Sequence, residues 1–374
     1  MADLTGYTHS QLIRVTGNKP SSSQSWFPML VAFDTDTGLN DYTQNAGLDV
    51  AFTLDGDDTE LPYEREEWTD NGANIDARFW VRVPSVDSAS DTDLRMHLGK
   101  AGGTAYPTPS DTWNENGAYN FQAVYHLGGS GWVGSAPEAV DSTGNGNDGT
   151  DGGTDLGAGI IGDCRDFERT NTDLILLPAG TTIMPAASPW TIECFMNYES
   201  TQASNLEQRT IGFRGGAGSG IVFGEGGTNE SQWGYRDAGG AFHYEVFQDP
   251  TSAGTWYHQC VTYDGTDFVP YHNANPLAPI TDGFVGFNAV SVMIGAYSGA
   301  DGNFDGLIDE VRLSSTVRAA AWVLFEYDNV ADYAGTITHG AWEAASEVAA
   351  LFGGSLLSVT GIGNMNKRVL GAML

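Results

Sequence analysis

The chain is poor in basic residues: 16 Lys plus Arg, three of them Lys, stand against 48 Asp plus Glu, for a formal charge of −32 over 374 residues. Phosphate contacts need a basic face, so this balance argues against nucleic acid as a partner, and against a bare anionic membrane. Long apolar runs are lacking as well. No segment reaches the ~18 apolar residues of a membrane span. The N-terminal "MADLTGYTHSQLIRV" has no basic stretch leading into an apolar one, so no signal peptide is read and synthesis in the cytosol is expected. Cysteine is scarce. Cys164, Cys194 and Cys260 form an odd set, which excludes complete intrachain pairing, and their strand-like contexts predict small buried thiols. No CxxC or HxxxH spacing offers a zinc site.

What remains is rich in Gly (49 residues) and aromatics (11%), in short alternating runs between clusters of Gly, Asn, Asp and Ser. That pattern predicts an all-β chain of sandwiches, and the length suits two domains. The acidic excess predicts a solvated, self-repelling surface. In residues 1–119, "SQLIRVTG", "WFPMLVAF", "LDVAFTL", "LPYEREEW", "ARFWVRVP" and "DLRMHLG" read as strands, with Phe79, Val81 and Val83 on one face and Trp80 and Arg82 on the other. "AYPTPSDTW" marks a boundary. Residues 120–345 continue with "AVYHLGGSG", "AVDSTGNGNDGT", "WTIECFMN", "WYHQCVTYDGT" and "FDGLIDEVRLSS". One helix is expected at "AAAWVLFEYDNV" and a last strand at "GTITHGAW". Residues 346–374 are apolar, Gly-rich and nearly uncharged, with Lys367 and Arg368 as their bases. Such a segment reads as a disordered terminus or as a docking or oligomerisation peptide.

The blocks from "NAGLDVAFTLDGDDTELPYEREEW" to "DTDLRMHLGK" resemble a small β-sandwich domain of unknown function that commonly precedes a laminin-G-like module in surface and viral proteins. The later blocks resemble that partner, the concanavalin A-like jelly roll of laminin-G and pentraxin type. The resemblance implies two β-sandwich domains, the second a jelly roll, with a short C-terminal helix and an apolar tail.

One stretch is odd: "NFDGLIDEVRL" sets Asp309 and Glu310 side by side in an apolar run, where neighbours on a strand face opposite ways. Calcium takes six to eight oxygen ligands, and "DSTGNGNDG" is dense in them. The resemblance implies that this loop meets the "IDE" strand. Asp141, Asn145, Asn147, Asp148, Asp309 and Glu310 are therefore the expected ligands of a structural Ca2+, the alternative being carboxylates that hydrogen-bond backbone amides. The fold's glycosidase motif, Glu-x-Asp-x-x-Glu, is broken here, with Leu307 in place of its first Glu. Glu64, Glu66 and Glu67 match the first domain's own pattern and read as structural. His126 and His258, within strand blocks, read as packed or hydrogen-bonded. No GxSxG elbow, P-loop or dinucleotide pattern occurs. No enzyme is expected.

Sugar binding needs flat aromatic surfaces with polar groups beside them. Trp233, Tyr235, Arg236, Tyr244 and Tyr297 are the candidates, the alternative being that Trp233, Tyr235, Phe242 and Tyr244 fill the sandwich core. The resemblance and the missing export signal together imply a virion surface component, tail fibre or capsid decoration, made in the host cytoplasm. It would present its laminin-G-like module to a host glycan or protein, and would contact other virion proteins or its own copies through residues 346–374. A secreted or cell-surface adhesin, or an accessory module of a polysaccharide-degrading system, is the other reading.

Overall fold

The computed structural model describes residues 4–103, 108–114, 121–134, 137–178, 183, 189–200, 207–215, 220–226, 230–236, 241–250, 252–281, 289–299 and 302–344. Most of the regular structure is strand, arranged as two sandwiches.

The smaller sandwich packs a three-stranded sheet (Gln24–Asp36, Ile75–Val86, Tyr63–Asp70) against a four-stranded one. Alternation in "ARFWVRV" sends Phe79, Val81 and Val83 into a core shared with Phe27, Phe52 and Met96. Trp80 and Arg82, on the other face, are also buried: Trp80 lies against Arg312 and His126 of the second sandwich, and Arg82 against the Asp111 carbonyl and the Trp26 ring. The four-stranded sheet runs Ile337–Ala344, His9–Val15, Thr92–Leu98, Ala51–Leu54.

The outermost of those strands corrects the expected end of the jelly roll at 345. Residues 337–344, assigned to the jelly roll from the sequence, pair antiparallel with His9–Val15 of the first sandwich. The expected helix forms at Ala320–Ala331 and leads the chain back there. Phe27 packs between Trp322 and Phe325, each with ring centroids 4.7 Å away. The Asn329 side chain accepts the Leu30 amide at 2.7 Å, and the Tyr333 hydroxyl accepts that of Ala32 at 2.8 Å. The apolar stripe of the helix and the open edge of the His9–Val15 strand are both satisfied by this return, which outweighs the weak alternation of "ITHGAWEA".

The larger sandwich has a nine-stranded and a seven-stranded sheet. Their inner faces interdigitate around Trp190, Phe213, Phe223, Trp233, Phe268 and Ile308. The central strand of the nine-stranded sheet, Gly306–Ser314, is flanked by Trp190–Tyr198, Asp163–Phe167 and Phe121–Tyr125. Cys164, Cys194 and Cys260 are buried free thiols.

Candidate functional site

A β-bulge resolves the odd pair of acids. Along Gly306–Ser314 the register with Trp190–Tyr198 shifts, so that Glu193 faces Arg312 while Phe195 faces Asp309. Glu310 takes a left-handed backbone conformation at φ 49° to accommodate the extra residue. Ile308, Val311 and Leu313 point into the sandwich core, and Asp309, Glu310 and Arg312 lie on the opposite face. That face meets the first sandwich. Strand Tyr63–Asp70 contributes Glu64 and Glu66, strand Ile75–Val86 contributes Trp80, and helix Pro109–Asn114 contributes Trp113.

His126, just beyond strand Phe121–Tyr125, is the hub. Its Nδ1 lies 2.6 Å from Glu310 Oε1 and 3.6 Å from Glu66 Oε2, and its Nε2 lies 3.1 Å from Glu64 Oε2. The outer atoms are held in turn. Trp80 Nε1 donates to Glu66 at 2.7 Å, Trp113 Nε1 donates to Glu64, and Ser142 Oγ donates to Glu64 at 2.7 Å. Arg312 donates to Glu310 Oε2 at 2.5 Å and to Glu326 of the helix, beneath the rings of Trp80 and Trp113. Trp322 Nε1 also donates to Glu326, at 3.0 Å.

Burial is the largest influence on each of these groups, and their neighbours decide the outcome. For Glu64 and Glu310 it opposes ionisation, yet His126 holds both below the usual carboxylate range, helped at Glu310 by Arg312. Burial works against the His126 charge, but Glu310, Glu64 and Glu66 raise its pKa well above the ordinary value. Glu66 is pushed up to about 8 by burial and by Glu310. Asp309 is raised well above the carboxylate range by burial, Glu310 and Glu66. Glu326 is pushed up to about 7 by burial and by Glu193, with which it shares a hydrogen bond that requires a proton on one of them. Six buried carboxyl groups (Glu64, Glu66, Glu193, Asp309, Glu310, Glu326) thus surround the cations His126, Arg312 and Arg318, and the excess acids Glu66, Glu193, Asp309 and Glu326 are the ones whose pKa values are raised.

The residues expected to hold calcium are brought to this neighbourhood but do not fit the ion. Asp141 accepts backbone amides from Thr143 and Asn147 at 3.1 Å and the Thr143 hydroxyl at 2.7 Å. Asp148 accepts the Asp141 amide at 2.8 Å. The side-chain amides of Asn145 and Asn147 donate to the Gln122 carbonyl. Asp309 Oδ2 accepts the Ile160 and Ile161 amides, at 2.9 and 3.1 Å, and its Oδ1 accepts the Glu310 amide. Glu310 is taken up by His126 and Arg312. A calcium ion wants six to eight free oxygens, and here the carboxylates already serve amides, imidazole and guanidinium. Among the described residues, Glu66, His126 and Glu310 do bring three ligating atoms together. However, the 2.6 Å from His126 to Glu310 is a hydrogen-bond distance, well short of the roughly 3.3 Å between two ligands of a tetrahedral zinc with bonds near 2 Å.

The expected sugar platform is corrected too. Trp233 and Tyr235 are 1% and 2% exposed and pack on Phe268 inside the sandwich, so their faces are closed to a ligand. Tyr297 is half-buried beside Gly220. The side chains of Arg236, Phe242 and Tyr244 lie outside the described residues.

A different surface feature escaped the sequence reading: an open groove of about 450 Å³ with Trp132, Val133 and Gly134 on one wall and the turn 151–155, which crosses from one sheet to the other, on the opposite wall. Trp132 sits in "GGSGWVGS", a Gly-rich loop with no periodicity to announce it. A lone aromatic between glycines was the one available signal.

Two family models match the chain: a domain of unknown function (DUF2341) over residues 46–122, and a laminin G-type model described as concanavalin A-like lectin/glucanases superfamily over residues 169–324. No curated protein matches it. Among solved structures it is similar to domain 4 of AbnA, a GH43 extracellular arabinanase from Geobacillus stearothermophilus, in complex with arabinotriose. The two are 19% identical with a TM-score of 0.45, over 56% of this chain and 98% of that one. It is also similar to the binding domain of Paraclostridial Mosquitocidal Protein 1 (13% identity, TM-score 0.47, 56% and 52% covered). A third is the ligand-binding domain of botulinum neurotoxin serotype D in complex with N-acetylneuraminic acid (11%, 0.43, 59% and 52%). The chain spans about half the length of the latter two. It carries, in this order, a DUF2341 domain and a concanavalin A-like domain of the laminin G type.

Proposed function

We propose that the protein is a non-catalytic recognition protein, whose larger sandwich binds a surface glycan or receptor while the smaller one is a fixed mount. The observation that carries this is the sealed face of the nine-stranded sheet. Glycoside cleavage needs two carboxyl groups flanking an accessible sugar bond. Glu193, Asp309 and Glu310 share one face, but they are 2%, 0% and 1% exposed beneath the first sandwich and the helix, and Glu310 is ion-paired. Recognition then falls to the rims and loops. The lectin side of the superfamily description supports a saccharide. Incubation with insoluble polysaccharides and cell-surface glycans, reading retention and released reducing ends, tests this. Retention without release is expected. Released sugar overturns the non-catalytic half, and no retention on any glycan overturns the binding half.

The finer reading is display on a virion, as tail fibre or capsid decoration, with residues 346–374 docking to other virion proteins or to further copies. The self-repelling acidic body and the apolar composition of that segment support it. Among the described residues no helix is long and apolar enough to cross a membrane. Deleting residues 346–374 should abolish multimers in light scattering while leaving the melting profile intact; persistent multimers would remove the docking role.

A further inference from the structure

Resting on the recognition reading above, the geometry points to the groove beside Trp132 as the ligand site, and to an uncharged saccharide as its ligand. The cavity, about 450 Å³, falls in the range of small-molecule sites. Its walls are tied before any ligand arrives. One Glu138 carboxylate accepts the Val133 amide from one wall and the Asp151 amide, at 3.0 Å, from the other. Asp151 Oδ1 closes the opposite turn by accepting the Thr154 amide at 3.0 Å and its hydroxyl at 2.6 Å. Arg165 lies 3.6 Å from the Trp132 ring centroid and donates to the carbonyls of Leu127 and Gly129, so the ring is held in place. The turn also depends on Gly153 at φ 116°, where a Cβ would come within 2.8 Å of Asp173 Oδ1. A groove ordered in advance spares the ligand the entropy of arranging it.

The chemistry of the lining selects the ligand. The indole of Trp132 and the 80% exposed Val133 offer apolar surface to the C–H face of a sugar ring. The exposed Asp155 offers an acceptor to its hydroxyls, and the buried Asp151 carboxylate adds negative charge behind it. The same carboxylates, on a chain of formal charge −32, repel sialylated or uronate-bearing glycans. The nearby Arg165 is already engaged by backbone carbonyls and the ring.

The test uses the full chain on an array carrying neutral, sialylated and uronate-containing glycans, alongside Trp132→Ala and Val133→Asp. Val133 is exposed enough that its substitution leaves folding undisturbed. The expected result is retention on neutral glycans, weakened at least tenfold in both variants with unchanged melting. Variants that bind as the wild type would remove the groove while leaving the recognition function standing. A preference for anionic glycans would overturn the ligand class. A wild type that binds no glycan would overturn the recognition function and the groove together.

Discussion

Replacing His126 with Ala probes the joint between the two sandwiches. The imidazolium answers Glu310 at 2.6 Å and Glu64 at 3.1 Å; without it, three carboxyl groups face one another around a ring-sized void. Removing one partner of a buried ion pair costs about 3–5 kcal/mol. The loss depends on pH, and its sign follows from the shifts. In the wild type Glu64 and Glu310 have folded-state pKa values below the unfolded one, so their contribution is present above about pH 4.5 and is lost only in stronger acid. His126, raised well above about 6.5, contributes fully below that pH and loses its contribution as pH climbs toward the folded value. In the variant the largest opposing influence is gone, leaving Arg312 beside Glu310 and the Ser142 and Trp113 donors beside Glu64, so burial raises both carboxyl groups relative to the wild type. The folded variant then holds protons that its unfolded chain has released, and its stability falls as pH rises through that range. The difference between the two proteins should therefore widen as pH rises from 5 to 7, toward about 3–5 kcal/mol around neutrality. Urea unfolding at pH 5, 6 and 7, followed by tryptophan fluorescence, measures it, since Trp80 and Trp113 flank the ring at 5.8 and 5.6 Å. A loss below about 1 kcal/mol that stays flat with pH would refute the reasoning, because that is the size of an exposed pair.

Glu66→Gln should act in the opposite sense. With its folded pKa raised to about 8, Glu66 makes the wild type lose stability from about pH 4.5 up to that value, so the variant should gain on the wild type with rising pH in urea midpoints taken at pH 6 and 9. Trp233→Ala should cost about 3–5 kcal/mol of unfolding free energy, as a core truncation does, and should leave glycan retention of the folded fraction unchanged. Calcium followed by chelator should leave the thermal midpoint in place, since a ligand that binds only the native state must raise it; a chelator-sensitive midpoint would show that the Asp141 and Asp309 segments rearrange around an ion. Truncation at residue 319 should unfold the first sandwich, read as lost chemical-shift dispersion, because the helix and the edge strand go with it.

The strands and their order were legible in the sequence, because alternation and turn residues mark them locally. Alternation in "ARFWVRV" placed Phe79 and Trp80 on opposite faces as the structure has them, but could not reveal that both faces are buried. The oddness of Asp309 and Glu310 pointed to the right place. Their partners did not follow, because Glu66 and His126 lie 244 and 184 positions away and the bulge that turns both acids one way has no sequence mark. Trp233 and Tyr235 show the same limit: a period of two says that side chains share a face, not which face is dry.

The pairing of residue 9 with residue 344 has a mechanical consequence. Both ends of the described body leave from the same corner, so whatever is spliced before or after it attaches at one point, and the recognition sandwich hangs from that point as a pendant. Tension applied across the two ends would peel their shared ladder apart rung by rung from that corner, and the load would meet this seam before it reached the glutamates and tryptophans behind it.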